Sequence, residues 1–379
     1  MVPTHSRQTD ACPGVLAVHQ AADGAVARIR VPGGQLPAGA FRAVAEAAAE
    51  LGDGTVELTS RANLQVRGLA DGAETALADR LTSVGLLPSA SHEKVRNIVA
   101  SPLTGRDDAG LADVRRLVAD LDGALRADPG FAELPGRFLF AVDDGRGDVA
   151  WLDADIAALL TAPDTAAILL GGADSGVRVP TDAAGSLMLS CADMFLAVRT
   201  DEWRVAELDD GARRRFAEQM GGATSLPVSG GRPTAAGPLG RVDQVDGRAA
   251  LVAGAPLGWL DRAQAAALAD VGADLVVTPW RSVVVADLPM DRVEQVAAAL
   301  RAAGLLLDPA APLARVTACT GRPGCVKALA DVRADAGPVP GSDLPVHWSG
   351  CGRRCGRPRG EVVDVVANGD GYTVTRGDR

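Results

Sequence analysis

Four of the six cysteines crowd near the C-terminal end of the chain. Cys319 and Cys325 have five residues between them, and Cys351 and Cys355 have three. In a reducing compartment, cysteines clustered in this way favour metal ligation over disulfides. Four thiolates are the number a [4Fe–4S] cubane requires. Zinc sites usually space their pairs about two to four residues apart, so the wider first pair favours the cubane. Structural zinc and unrelated buried thiols remain the weaker readings. Gly321, Gly324, Gly350, Gly352 and Gly356 let the backbone approach the sulfurs and aim N–H groups at them. Val326 to Val332 reads as a helix opened by Cys325, whose N-terminal dipole favours a thiolate. Cys12 and Cys191 stand outside the pattern and read as small buried hydrophobes.

The chain that must position these ligands has 379 residues, 47% hydrophobic and 23% charged, enough for two or three domains of about 150 residues each. Its 44 glycines and 23 prolines fall short of the composition of a low-complexity chain. A net charge of −10 argues against the broad basic face of a nucleic-acid binder. No apolar run reaches the roughly 18 residues of a membrane span. The polar opening MVPTHSRQTDACPG carries no secretory signal. A cytoplasmic protein with no membrane or nucleic-acid partner is therefore expected. No G-x-G-x-x-G fingerprint follows a strand, so reducing equivalents from NAD(P)H are expected through a separate electron donor.

The chain also repeats itself. Thr59-Ser60-Arg61 through Leu69 aligns with Thr278-Pro279-Trp280 through Leu288 at an offset of 219 residues, and Val84-Gly85-Leu86-Leu87 aligns with Ala303-Gly304-Leu305-Leu306. Each copy reads as strand, helix, strand, helix. The strands are Ala27 to Val31 and Val56 to Val66 in the first copy, Ala250 to Ala253 and Leu275 to Val285 in the second. The helices are Phe41 to Leu51, Ala73 to Val84, Arg262 to Val271 and Met290 to Ala303. Gly221 to Gly240 reads as a linker between the halves.

The cysteine spacing, the duplicated half and the element Thr59-Ser60-Arg61-Ala62-Asn63-Leu64-Gln65 together resemble the sirohaem-dependent sulfite and nitrite reductase superfamily. Val95-Arg96-Asn97-Ile98-Val99 resembles that family's second arginine motif. The resemblance implies an α+β fold. Duplicated ferredoxin-like half-domains alternate with two sirohaem/[4Fe–4S]-type α/β domains in A-B-A′-B′ order, over residues 1–90, 91–220, 221–310 with the linker, and 311–379. It also implies Cys355 as the bridging cysteine, with Arg61 and Arg96 as pocket arginines. Reductases of this superfamily carry a Lys-x-Lys pair after a Leu-Pro turn, where Leu134-Pro135-Gly136-Arg137-Phe138-Leu139 has Arg137 and Leu139 instead. A leucine neither polarises an oxyanion nor supplies a proton.

Cys12-Pro13-Gly14, Arg28-Ile29-Arg30-Val31-Pro32-Gly33-Gly34, Ala255-Pro256-Leu257-Gly258 and His347-Trp348-Ser349-Gly350-Cys351 look like the precorrin-3B synthases. That family acts as the monooxygenase on precorrin-3A in aerobic cobalamin biosynthesis. The resemblance implies a tetrapyrrole substrate, O2, a [4Fe–4S] cluster, and either a non-haem iron or a sirohaem-like centre to reduce oxygen. Arg61, Arg96 and Arg137 are the expected catalytic residues. A substrate with many carboxylates needs guanidiniums, and Arg28, Arg30, Arg61, Gln65, Arg67, Arg96, Arg353 and Arg354 are the expected binding set. Arg61, Asn63, Gln65 and Arg67 should share one face of a strand. His347 is the most suggestive of four histidines but reads as a packing residue, and Trp280 and Trp348 are candidate pocket walls. A sirohaem sulfite or nitrite reductase and a non-catalytic iron–sulfur electron-transfer protein are the alternatives.

Overall fold

The structure is a computed structural model and describes residues 10, 12–219, 231 and 235–377; most of the expected linker lies outside them. The first copy of the repeat contributes β1 (His19–Ala21), β2 (Gly24–Ile29), β3 (Gln35–Leu36), α1 (Ala40–Leu51), β4 (Val56–Leu58), β5 (Leu64–Leu69) and α2 (Ala73–Ser83). Next come β6 (Ile98–Ala100), α3 (Arg115–Ala127), β7 (Phe140–Asp143), β8 (Ile156–Ala162), β9 (Thr165–Leu170), β10 (Ala173–Pro180), α4 (Thr181–Val198) and α5 (Asp210–Gln219). The second copy gives β11 (Gly240–Asp243), β12 (Ala249–Gly254), β13 (Trp259–Leu260), α6 (Arg262–Asp270), β14 (Leu275–Val277), β15 (Ser282–Leu288) and α7 (Val293–Ala302). The chain closes with β16 (Val316–Ala318), α8 (Val332–Asp335), β17 (Val346–Ser349), β18 (Val362–Ala367) and β19 (Tyr372–Gly377).

The two copies complete each other. One sheet runs β1-β2-β5-β4-β13 and the other β11-β12-β15-β14-β3, so each copy lends a two-residue edge strand to its partner. Leu36 pairs with Leu275, and Leu260 pairs with Val56. The helices behind them cross-link reciprocally. Arg42 donates to the carbonyl of Ala269 at 2.9 Å, and Arg262 donates to that of Ala49 at 2.9 Å. Phe41, Val44, Leu58 and Leu64 from the first copy share one continuous core with Leu251, Leu268, Val283 and Leu300 from the second. Apolar area that neither half covers alone leaves water in the pair.

Each segment expected as one long strand, Val56 to Val66 and Leu275 to Val285, is instead a hairpin, β4–β5 and β14–β15. The Thr59 hydroxyl accepts from the backbone N–H of Arg61 and Asn63, and Thr278 does the same for Trp280 and Ser282. A side chain that satisfies two turn donors holds the chain back on itself. Ala62 and Arg281 take matching left-handed φ values of 54° and 57°. Arg61 and Asn63 therefore sit in the turn, and only Gln65 and Arg67 of the expected strand face lie on β5.

The two other sheets also match. β6, β7 and β8 run parallel before β9 and β10 turn back, and β16, β17 and β18 run parallel before β19. Loops at the carboxyl ends of parallel strands are where such sheets place ligands. Among the described residues, α4 is the one helix long and apolar enough to cross a membrane, and it buries Met188, Cys191 and Phe195 against β8 and β9. Cys191 is fully buried there, which pushes its thiol up to about 12.

The exchanged strands give a test. Gly34 precedes β3 at φ 71°, and a Cβ there would lie 2.0 Å from the carbonyl oxygen of Val277. Gly34→Ala is expected to lower stability by at least about 1–2 kcal/mol from the left-handed backbone alone, read as a lower midpoint in urea denaturation. An unchanged midpoint would mean that the exchange contributes nothing.

Candidate active site: a cysteine cradle beside an arginine cleft

Cys319 follows the last residue of β16, and Cys351 lies two residues beyond β17, its parallel neighbour. Register alone therefore delivers one cysteine from each loop to the same sheet end. The Cys319 N–H donates to the Trp348 carbonyl at 2.9 Å, and the Gly350 N–H donates to the Cys319 sulfur at 3.2 Å. The Leu329 N–H bonds to the Gly350 carbonyl at 2.7 Å and stitches the first loop to the second. A Cβ on Gly350 would meet that of Ala328 at 2.6 Å, so only glycine permits this approach.

Val326 to Val332 is not the expected helix. It consists of turns and bends, and α8 begins only at Val332 and has four residues. The backbone N–H groups of Gly350 and Gly321, rather than a helix dipole, favour the Cys319 thiolate. Burial pushes that thiol up, and the neighbouring Cys355 and Cys325 sulfurs push it further. Cys355 is likewise raised by burial, then by Cys351 and Cys325, while Arg353 opposes them. Among the described residues no three His, Cys, Asp or Glu side chains close around a single metal ion; mutual electrostatic influence is what links the four sulfurs. Four thiols on glycine-bearing loops, with N–H donors on the Cys319 sulfur, fit a bulky anionic iron–sulfur cluster.

Beside the cradle lies a cleft of about 350 Å³. The two hairpin tips reach it with Ser60–Arg61 and Pro279–Trp280, and the second cysteine loop adds Arg353, Arg354, Gly356, Arg357 and Arg359. Arg137 and Arg204 complete a set of seven arginines against one carboxylate, Asp153. Some of these guanidiniums already have carboxylate partners. Arg357 lies 3.0 Å from both Asp364 oxygens, Arg359 pairs with Asp153 at 2.5 Å, and Arg204 pairs with Asp155 at 2.7 Å. Arg61 donates to the backbone carbonyl of Arg137 at 2.8 Å, while the side chains of Arg137 and Arg353 have no partner among the described residues. Burial, with the cations of Arg204 and Arg28 nearby, lowers the Arg61 pKa to about 10, which still leaves it charged at neutral pH. Trp280 occupies in the second hairpin the place of Arg61 in the first.

The other expected binding residues fall elsewhere. Arg96 is buried in a two-point pair with Asp122, at 2.7 and 3.0 Å, so it braces the neighbouring domain and does not face the cleft. Arg67 pairs with Asp23 at 3.0 and 2.9 Å and sits 5.6 Å over Trp259. Gln65 accepts from Arg28 and donates to Glu57. Arg30 is only 2% exposed and reaches the carbonyls of Lys94 and Gly136, with its Nη1 unpartnered. Burial and the adjacent Arg28 cation hold its pKa well below the usual arginine value.

The remaining candidates are held by structural contacts. His347 is fully buried, with one ring nitrogen 2.8 Å from the Thr317 hydroxyl and the other 3.1 Å from the Cys355 carbonyl. Burial and the neighbouring Arg281 hold its pKa down to about 3. Its role is to brace the cysteine loop. His92 likewise has both nitrogens engaged, by Ser89, Ser91 and the Asp128 carbonyl. Trp348 packs on Tyr372 at 4.9 Å instead of lining the cleft. Leu139 lies in the core.

Residues 19–84 and 242–303, the two exchanged halves, match the nitrite/sulfite reductase ferredoxin-like half domain. The chain thus carries that half domain twice, once in each exchanged half. It is 28% identical to a ferredoxin–nitrite reductase of Synechococcus elongatus, over 90% of this chain and 75% of that one. It is 27% identical to a precorrin-3B synthase of a Sinorhizobium species, over 97% of this chain and 82% of that one. Among solved structures, the Mycobacterium tuberculosis NirA protein shares the fold, with a TM-score of 0.71 and 20% identity over 93% of this chain and 73% of that one.

The sequence did not single out Arg204, Asp153 or Arg281 for the site. Arg281 is buried under the second cysteine loop and donates to the Gly356 carbonyl. The repeat held the signal, because Arg281 aligns with Ala62 at the same left-handed turn position. The geometry separates two kinds of arginine. Arg96→Met, which strips Asp122 of its two-point partner, is expected to lower stability by about 3 kcal/mol in urea denaturation. Arg353→Gln should leave that midpoint unchanged and weaken a polycarboxylate porphyrin about tenfold in an absorbance titration, less so at high salt. The opposite pattern would reverse the two assignments.

Proposed function

We propose that this chain is an oxidoreductase of tetrapyrrole metabolism that converts precorrin-3A to precorrin-3B with O2. Its relatives include oxidoreductases named as nitrite and sulfite reductases and one named as a precorrin-3B synthase. What carries the finer choice is the pair Arg137 and Leu139. Arg137 presents to the cleft a guanidinium without a partner among the described residues, while Leu139 is 3% exposed in the core, so no lysine pair lines the cleft there. A guanidinium that never titrates near neutrality suits the binding of a substrate carboxylate better than proton delivery.

In this reading Arg61, Arg137 and Arg353 hold carboxylates of the macrocycle, and Trp280 offers it a flat wall. Arg354 and Arg359, partly neutralised by Asp364 and Asp153, set the rim. Cys319, Cys325, Cys351 and Cys355 hold a [4Fe–4S] cluster. Once bound, that cluster supplies electrons one at a time and does not itself insert oxygen. The overall reaction balances when two electrons and two protons accompany O2, one oxygen atom entering the substrate and the other leaving as water. The electrons come ultimately from NAD(P)H through a separate donor. The described residues do not fit a two-histidine iron site, since both ring nitrogens of His92 and His347 are engaged; the arginine cleft fits the carboxylate rim of a sirohaem-like group.

The decisive assay incubates anaerobically purified protein with precorrin-3A and reductant, then adds isotopically labelled O2 before mass spectrometry of the tetrapyrrole. One labelled oxygen atom per product is expected. An intact cluster with no uptake, together with turnover of sulfite or nitrite, would make the chain a reductase instead.

A further inference from the structure

Ser349 is the last residue of β17. Its hydroxyl is buried, with the residue 1% exposed, and it has no hydrogen-bond partner among the described residues. A buried hydroxyl left unpaired is destabilising, so its position calls for a partner. Side chains alternate along a strand, which places Ser349 on the same face as His347 and opposite Val346 and Trp348. Val346 and Trp348 pack into the small apolar core with Tyr372. His347 points the other way, to the Cys355 carbonyl of the second cysteine loop. Ser349 thus shares the face of the cysteine loops and lies one strand step nearer to them. Its two neighbours already contact the first loop: the Trp348 carbonyl accepts from the Cys319 N–H, and the Gly350 N–H donates to the Cys319 sulfur.

We propose that the Ser349 hydroxyl donates a hydrogen bond to a sulfur of the iron–sulfur cluster and thereby sets its reduction potential. The inference rests on the reading that the four cysteines hold such a cluster. Hydrogen bonds to cluster sulfurs favour the reduced form, which carries one more negative charge, so a donor raises the potential and its loss lowers it. Ser349 is a positioning and tuning residue here and takes no part in substrate chemistry.

The test compares full-length wild type, Ser349→Ala and Ser349→Thr, each reconstituted anaerobically with ferrous iron and sulfide. Iron content, visible absorbance and a redox titration followed by electron paramagnetic resonance are then read. Ser349→Ala should keep wild-type iron content and titrate at a more negative potential, and Ser349→Thr should return toward the wild-type value. An intact cluster with the same potential in Ser349→Ala would overturn the proposal. If the alanine variant loses its cluster, Ser349→Cys, with a weaker donor of similar size, serves in its place; a negative shift supports the proposal and an unchanged potential overturns it. A wild-type chain that takes up no iron would defeat the cysteine reading itself, an outcome distinct from an unshifted potential.

Discussion

Like charges repel, and both halves of this site are built from like charges. In the proposed cluster four cysteines become thiolates around one centre, and seven arginines converge on a cleft of about 350 Å³. Each set is unfavourable alone. Burial and neighbouring sulfurs hold the thiols of Cys319 and Cys355 up, toward their protonated forms, and burial with nearby cations draws the Arg61 pKa down. Where the two sets meet, the Arg353 cation opposes the rise of the Cys355 thiol, because opposite charges in a poorly solvated place favour one another's ionised forms. The loop from Cys351 to Arg359 supplies two cysteines and four of the arginines within nine residues, so a single segment fixes the distance between the two sets.

That segment is only as well placed as the strands beneath it. β17 sets one end by parallel pairing with β16 and β18, and His347 ties the far end through the Cys355 carbonyl. Arg281 reaches the same loop from the second hairpin through the Gly356 carbonyl. The second copy of the repeat is thereby linked to the cysteine loop, while the first copy presents Arg61 from across the cleft. The exchanged strands β3 and β13 hold the two copies in register with each other. A duplicated half-domain without the exchange would leave two open sheet edges and an unfixed cleft.

The meeting of the two cysteine loops at one sheet end was legible because its signal is local: residue type, spacing and glycines fall within one short stretch. The repeat was legible for a different reason, a residue-by-residue match held at one offset of 219 residues, and it led to the paired order of the sheets. The hairpins were not, because the first turn, Thr59 to Asn63, has no glycine or proline and the second has only Pro279, and a threonine hydroxyl holds each of them. The exchange was hidden because β3 and β13 are two residues long. Arg96 and Arg67 were read as facing a ligand because a sequence shows a cation and not its partner; Asp122 and Asp23 lie 26 and 44 residues away. The Val326 to Val332 segment follows helical periodicity, yet two backbone hydrogen bonds to the cysteine loops, from Ala328 N to Cys325 O and from Leu329 N to Gly350 O, hold it as turns. Tertiary pairing overrides propensity in so short a stretch.

The proposed four-iron cluster sits where the ends of β16 and β17 meet. The measurement that tests it most directly is iron and acid-labile sulfide analysis of the anaerobically purified chain, with Mössbauer spectroscopy on iron-57-enriched protein. About four irons and four sulfides per chain, with the spectrum of a cubane, are the expected result. A single zinc ion, or iron in stoichiometry with no labile sulfide, would contradict the account.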